Sequence, residues 1–144
     1  MIYDDLKLKG KLAIALNGKV VREIDNLVVT AGKGYVANRM KSDVSGGVAI
    51  MSHMAIGSGT NNPAAGDTAL QTELGRVALT STGLSGAILT YTATFAAGTA
   101  TGAATEAGIF NASSGGTMLC RTEFGVVNKG SADSMTITWT VTVS

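Results

Sequence analysis

The sequence has few charged and few aromatic residues. Charged side chains make up 15% of its 144 residues and aromatic side chains 5%, whereas soluble domains average about 25% charged residues. Disorder requires low hydrophobicity, and 45% of this chain is hydrophobic with a net charge of +1, so it is not intrinsically disordered. Glu, Lys and Leu are too scarce for a coiled coil, and the glycines keep no collagen-like period.

Cysteine and histidine each occur once, as Cys120 and His53. A single cysteine forms no intrachain disulfide, so the fold does not depend on an oxidising compartment. A zinc site takes three or four Cys, His or carboxylate ligands, which this pair does not provide. We predict no metal and no cofactor, a buried apolar role for Cys120, and a structural or interface role for His53.

The sequence also shows no pattern typical of a secretory signal or a membrane span. No apolar stretch follows a basic region at the N-terminus, which argues against a secretory signal. The longest uncharged stretch, from Val77 to Glu106, is full of Thr and Gly and alternates, unlike a membrane span. We expect synthesis and folding in a cytosol, with no membrane partner.

Period-two alternation is what the sequence has in abundance, together with threonine and glycine. Apolar residues alternate with lysines over residues 6–16, which predicts a half-buried strand with an outward ladder of Lys7, Lys9 and Lys11. Asn17-Gly18 predicts a hairpin, and residues 19–30 predict returning strands with a kink at Asp25-Asn26. Over residues 135–143, apolar side chains alternate with a row of threonines.

The remaining patterns are less regular. Residues 31–41 predict a short helix capped by Thr30, residues 43–47 a turn, and the apolar run 48–56 a buried strand. A loop over 57–66 precedes a second short helix capped by Asp67, with Leu70 and Leu74 on one face and Glu73 near Arg76. Further strands are predicted at 77–82, 87–96, 105–111 and 117–127, the last two joined by a turn at 113–116.

Strands at this spacing predict an all-β protein with one or two short helices, folded as an antiparallel β-sandwich. We expect a single domain over residues 1–144, with a basic N-terminal strand or hairpin segment over about residues 1–30. Eight of the eleven basic residues lie in the first 41 positions. The outward threonines are uncharged, so their faces can meet solvent or be buried against a partner at little desolvation cost.

No catalytic signature is complete, and we predict that the protein is not an enzyme. Ser52 and His53 are adjacent on a predicted strand and should point to opposite faces, so they should not form a nucleophile–base pair. The loop 57–60 lacks the GK[ST] of a phosphate-binding loop. Glu106 and Glu123 can meet in space, which leaves a glycosidase-type pair open. A carbohydrate-binding or enzymatic β domain is therefore an alternative, although few aromatics are available for sugar stacking.

The lysine ladder has three interpretations. Lys7, Lys9 and Lys11 can contact phosphates, but no aromatic residues alternate with them for base stacking, so we predict no specific nucleic acid partner. The ladder can instead protect an edge strand from aggregation. It can also contact an acidic partner surface.

Short motifs follow one another over residues 28–144. They are HMAIGSG at 53–59, Pro63, DTAL at 67–70, Glu73, Arg76, TEAGIFN at 105–111, MLCR at 118–121, VNK at 127–129 and TITWTV at 136–141. In this order they resemble small structural proteins of tailed bacteriophages. Those proteins include head decoration (cement) proteins and the collar-like domains of tail fibres and baseplates.

The resemblance implies a jelly-roll-like sandwich located in the virion and made in the cytoplasm of a host bacterium. It is strongest for a decoration protein that binds the outside of the assembled capsid and bridges major capsid protein subunits. The alternative is a tail-fibre, collar or baseplate component, but the sequence ends after its last strand and leaves no room for a shaft. The expected partners are the major capsid protein and further copies of the chain, as a dimer or trimer. We expect the basic N-terminal segment and the glycine-rich loops to make these contacts, with Lys7, Lys9, Lys11, Arg22, Lys33, Arg39 and Arg76 as candidate contact residues.

Overall fold

A computed structural model describes residues 6–41 and 48–144 of the chain. The turn expected at 43–47 and the acidic residues Asp4 and Asp5 lie outside the described residues. The described elements are β1 Leu8–Leu16, β2 Lys19–Asp25, β3 Leu27–Val28, α1 Thr30–Arg39, β4 His53–Gly57, β5 Glu73–Ala78, β6 Ser81–Ser85, β7 Ile88–Phe95, β8 Gly102–Phe110, β9 Met118–Lys129 and β10 Met135–Val143.

Two antiparallel five-stranded sheets form a sandwich-like structure. Sheet A has the strand order β2-β1-β10-β7-β6, and sheet B has the order β3-β9-β8-β4-β5. The prediction of a mostly β, antiparallel protein is confirmed at this level, with one helix in the described residues. The first and last strands are neighbours, since β1 pairs with β10 along its whole length.

The core lies between the two sheets and follows the alternation of the sequence. Leu12 and Ile14 of β1 and Ile137 and Trp139 of β10 are fully buried, as is Cys120 from sheet B. Burial of Trp139 requires a partner for its indole N–H, and Nε1 donates to Asn26 Oδ1 over 2.6 Å. The buried apolar role predicted for Cys120 is confirmed, and burial raises the pKa of its thiol.

Several predicted elements are present in the structure, but they begin or end at different residues. The hairpin at Asn17-Gly18 is confirmed, with positive φ at both residues, and the kink near Asp25-Asn26 separates β2 from β3. The helix is present, but Thr30 is its first residue and no side chain caps it. The strand expected over 48–56 is reduced to β4. The one expected over 77–82 is divided into β5 and β6, because the chain passes from one sheet to the other between them.

The helix predicted after Asp67 is wrong, because the chain from 58 to 72 is a loop. The Asp67 carboxylate accepts from the N–H of Ala64 in a turn over 2.9 Å. The N–H groups of Gln71 and Thr72 donate to the Glu106 carboxylate at 2.8 Å each. A distant side chain thus takes the donors that a helix would have used.

Candidate functional site

Four residues from the motifs at 53–59 and 73–121 form a row on the outer face of sheet B. Arg76, Ala55, Gly108 and Arg121 are register partners in a row across β5, β4, β8 and β9. The loop 58–72 lies over this row, and its Leu70 belongs to a second small buried cluster with Ala55, Phe110, Met118 and Val29. The outer face of sheet B is therefore covered by the chain itself.

Glu106 is the centre of this covering layer and is fully buried. Its Oε2 accepts from the N–H of Gly59 at 2.6 Å and of Thr72 at 2.8 Å, and its Oε1 accepts from the N–H of Gln71 at 2.8 Å. Burial alone raises the pKa of Glu106, but these N–H donors and the Arg121 guanidinium outweigh it. The pKa therefore lies below its ordinary value of 4.5, and the carboxylate is held ionised.

Arg121 supplies the opposite charge and is 2% exposed. Its Nη2 lies 3.0 Å from Glu106 Oε1, and its Nη1 lies 3.0 Å from the Asp67 carboxylate. Nη2 also donates to the carbonyl oxygen of Asn61 over 3.1 Å. A buried ion pair is tolerated when its hydrogen-bonding groups are satisfied, and here the loop itself satisfies them.

The glycines of HMAIGSG make room for this carboxylate. A Cβ on Gly57 would lie 2.7 Å from Glu106 Oε2, and one on Gly59 would lie 2.3 Å from the same atom. These distances are far below van der Waals contact. The glycine-rich loop that we expected to contact a partner is thus packed against its own sheet.

Arg76 is also engaged within the chain, and its side chain is 7% exposed. Its Nη2 lies 2.7 Å from Glu73 Oε1, which confirms the predicted pair. Its Nη1 donates to the carbonyl oxygens of Ala112 and Gly115, in the loop between β8 and β9. The guanidinium also stacks 3.7 Å from the centre of the Phe110 ring. Arg76 therefore fastens the 111–117 loop to β5.

The two glutamates considered as a catalytic pair are opposite one another in the β8–β9 register. A glycosidase of this kind needs one carboxylic acid whose pKa is raised so that it can donate a proton. The pKa of Glu106 is shifted in the other direction. Glu106 is thus suited to holding the loop and unsuited to general acid catalysis.

Ser52 and His53 differ from the expectation, because their side chains do meet. Ser52 Oγ and His53 Nδ1 are 2.8 Å apart. Strand alternation does not separate them, since Ser52 precedes β4 and His53 is its first residue. Within residues 6–41 and 48–144 no carboxylate hydrogen-bonds the other ring nitrogen, which is how such a base is normally oriented.

Three of the predicted contact residues lie around one apolar groove. Lys7, Lys9 and Lys33 line a groove of about 660 Å³ between α1 and β1, here called the lysine groove. The other described residues that line it are apolar: Leu6, Leu8, Val28, Val36, Ala37, Met40 and Val143. Arg39 lines an adjacent groove of about 440 Å³, which shares Val36 and Met40 with the first and has Tyr35 and Ile50 among its other lining residues. Sequence reasoning missed both grooves, because their lining residues come from elements that are distant in sequence.

The remaining predicted contact residues lie on sheet A. Lys11 faces outward and is opposite Asp25 in the register. Arg22 donates to the carbonyl oxygens of Gly125 and Val126 of β9 and so ties the two sheets together. Lys11 lies where β1 is paired with both β2 and β10, so it protects no edge. Residues 8–10 of β1 have register partners only in β10, so protection of an edge strand stays an interpretation for Lys7 and Lys9.

Outward threonines cover the β7 and β10 part of sheet A. Seven threonines of β7 and β10 face outward, and three pairs are directly opposite in the register: Thr94–Thr136, Thr92–Thr138 and Thr90–Thr140. We call this surface the threonine face; its members are Thr90, Thr92, Thr94, Thr136, Thr138, Thr140 and Thr142. Thr94 and Thr136 share a hydrogen bond of 3.0 Å. No other described part of the chain covers it, in contrast to sheet B.

Comparisons with protein family models, with curated proteins and with solved structures found no match for this chain. No helix in the described part of the chain is both long and apolar enough to span a bilayer. Among the same residues, no three His, Cys, Asp or Glu side chains are grouped so that they could hold a metal ion.

Proposed function

We propose that this protein is a non-enzymatic structural component of a bacteriophage virion, which binds the outside of the assembled capsid and bridges its major capsid protein subunits. The observation that carries the proposal is the threonine face. It is uncharged over β7 and β10, and Lys9 and Lys11 stand beside it, opposite Thr142 and Thr140. Hydroxyl groups lose little on desolvation when they find hydrogen-bonding partners, so this face suits burial against another subunit.

The mechanism is mass action. A protein that binds the assembled shell and not the separated subunits stabilises the shell by the free energy of that binding. Binding of this kind needs area, shape fit and charge complementarity, and it needs no reactive group. The sandwich supplies the threonine face, whose strands pack on their inner side against the core around Trp139.

The sandwich is also, in our proposal, a variant of the jelly roll. Its support is that β1 and β10 are neighbours and that the chain changes sheet after β2, β5, β7 and β9. The departure from a simple jelly roll is that successive strands such as β8 and β9 also pair within one sheet. An experimental structure of the protein in its assembly tests the assignment.

The experiment that tests the function uses particles of the encoding phage that lack this protein. Purified wild-type protein should bind them, appear as density on the shell in electron cryomicroscopy and raise the temperature at which they release DNA. Hundreds of copies per particle support the capsid location. A few dozen copies at the tail would instead identify the alternative tail, collar or baseplate component.

The threonine face is tested with a paired substitution. Thr92→Glu together with Thr138→Glu places two like charges opposite each other in the register, which should abolish particle binding. Lys19→Glu, exposed in the β1–β2 hairpin, is the control for added negative charge and should bind as wild type does. Unchanged binding by the double variant, in protein whose unfolding remains cooperative, would remove the threonine face from the proposal.

A further inference from the structure

The lysine groove is not explained by the threonine face or by the Glu106 network. One stripe of the helix forms its wall, because Lys33, Val36, Ala37 and Met40 follow the spacing i, i+3, i+4, i+7 that places residues on one side of a helix. Val28 and Val143 from the two sheets line it as well. The groove thus lies where α1 crosses the open side of the sandwich.

Much of the apolar surface around this groove faces solvent. Leu6 is 74% exposed and Met40 is 78% exposed, although both are large apolar side chains. Single exposed apolar residues are ordinary, but several that join into one concave patch mark an interaction site on a soluble protein. The patch therefore predicts an occupant that brings apolar side chains of its own.

The charges around the groove indicate the sign of that occupant. Among the described residues that line the groove, three are lysines and none is acidic. In the described residues, Lys9 and Lys33 have no ion-pair partner. A cationic rim around an apolar floor is complementary to a segment that carries both carboxylates and apolar side chains.

We propose that the lysine groove binds an acidic segment of a partner protein. Apolar side chains of the segment seat against Val36 and Val143, and its carboxylates reach Lys9 and Lys33. The proposal rests on the proposed function in that the partner is another virion protein. A peptide segment fits better than a lipid, because the groove is open along the exposed side chains of Leu6 and Met40 and does not enclose an acyl chain.

The first test uses the particles described above and two groove variants. Met40→Glu places a carboxylate on the apolar rim, and Lys33→Glu reverses one rim charge. Each should weaken particle binding about tenfold or more. Val126→Glu and Lys19→Glu make the same changes at exposed positions away from the groove and should stay within about twofold of wild type. Binding of wild type should weaken with added salt, and less so for Lys33→Glu.

The outcomes of this test separate the two proposals. If wild type binds particles and the groove variants bind as their controls do, the groove proposal is overturned and the proposed function stands. If wild type binds no part of the virion, the proposed function fails, and the groove is then judged by a defined probe. All four substituted side chains are exposed, so the variants should keep the fold. Thermal unfolding of each variant checks this.

The probe is a synthetic peptide with Leu and Asp at helical spacing, compared with a version in which Lys replaces Asp. Only the acidic peptide should shift the amide resonances of Lys33, Val36 and Met40, and Lys33→Glu should reduce its affinity. Equal shifts from both peptides overturn the proposal. Binding of phosphatidylglycerol vesicles in place of the peptide would also overturn it, because the occupant would then be a lipid. Self-association of the protein that Met40→Glu abolishes would overturn it as well, because the occupant would then be a second copy of the chain.

Discussion

The two sheets of this sandwich carry opposite kinds of outer face. The outer face of sheet B is covered by the chain's own loop 58–72, which buries Glu106 and Arg121 beneath it. Over β7 and β10, the outer face of sheet A is the uncharged threonine face, which no other described part of the chain covers. The difference shows that uncharged hydroxyl groups can stay exposed on a sheet until a partner binds, whereas ionised groups in a buried layer need hydrogen-bonding partners from the chain itself.

The physical reason is the cost of desolvation. A buried carboxylate needs several donors held in place, and Glu106 receives them from the backbone of the same loop that hides it. A face with a buried carboxylate is covered by its own chain during folding. A separate partner protein would have to supply every hydrogen-bond donor to that carboxylate when it bound. Threonine hydroxyls can be hydrated in the free protein and buried later at small cost.

The largest expected effect is the loss of one member of the buried ion pair. Arg121→Met leaves Glu106 and Asp67 without their common partner, and we expect it to lower the free energy of unfolding by about 3–5 kcal/mol. Arg22→Met is the matched control, since Arg22 also binds backbone carbonyl oxygens but is partly exposed, and it should cost about 1 kcal/mol. Urea unfolding measures both, and equal losses would contradict the contrast between covered and open faces.

The next effect concerns the space between the loop and sheet B. Gly59→Ala brings a methyl group to 2.3 Å from Glu106 Oε2 and 2.4 Å from Gln71 Cβ, and should destabilise the protein by about 1–3 kcal/mol. Gly66→Ala lies in the same loop with nothing within 4 Å of the added Cβ. Its melting temperature should stay close to that of wild type. A Gly59→Ala protein as stable as Gly66→Ala would show that the loop does not pack tightly on Glu106.

Acidification should destabilise the outer face of sheet B, which the loop 58–72 covers, before it affects the threonine face of sheet A. Because the pKa of Glu106 is lower in the folded chain than its ordinary value of 4.5, the folded chain binds fewer protons there than the unfolded chain. This contribution to stability is complete above about pH 5 and is lost as the pH falls through the folded pKa. Glu106→Gln should therefore be less stable than wild type at neutral pH and should lose less stability on acidification. Thermal unfolding as a function of pH measures both proteins, and a wild-type acid profile for Glu106→Gln would refute the assignment.

The smallest effect belongs to the threonine face. Thr138→Val replaces an exposed hydroxyl by a methyl group on a β-branched side chain that suits a strand equally well. We expect the free energy of unfolding to change by less than about 0.5 kcal/mol. Val127→Thr makes the reverse exchange at a buried position of sheet B. It should lower the free energy of unfolding by more than Thr138→Val does. A large loss from Thr138→Val in the isolated protein would mean that the threonine face supports the fold itself.

The sequence predicted the strands best where alternation is strict. The inward set Met135, Ile137, Trp139 and Val141 is buried as expected, and the outward threonines follow from the same period. It failed around Asp67, where Leu70 and Leu74 have a helical spacing. There the N–H groups are taken by Glu106, which is more than thirty residues away in sequence. Local periodicity contains no information about such a partner.

The candidate surfaces divide in the same way. The lysine ladder and the threonine rows were readable from the sequence, because a residue's side of a strand depends only on its position in the alternation. The lysine groove was not, since it forms only where Lys33 and Val36 of the helix meet Lys9 of β1 and Val143 of β10. The pairing of Ser52 with His53 was missed because it depends on where β4 begins.

By itself, the sequence determined that this protein is mostly β, that its strands have an apolar side and a threonine side, and that its single cysteine is a core residue. Only the tertiary structure decided which outer face is covered and which stays open. That choice depends on where the loop 58–72 comes to rest, and the loop is held by Glu106, Arg121 and the space left by Gly57 and Gly59. These contacts join residues far apart in the chain, so they exist only once β4, β8 and β9 of sheet B have come together.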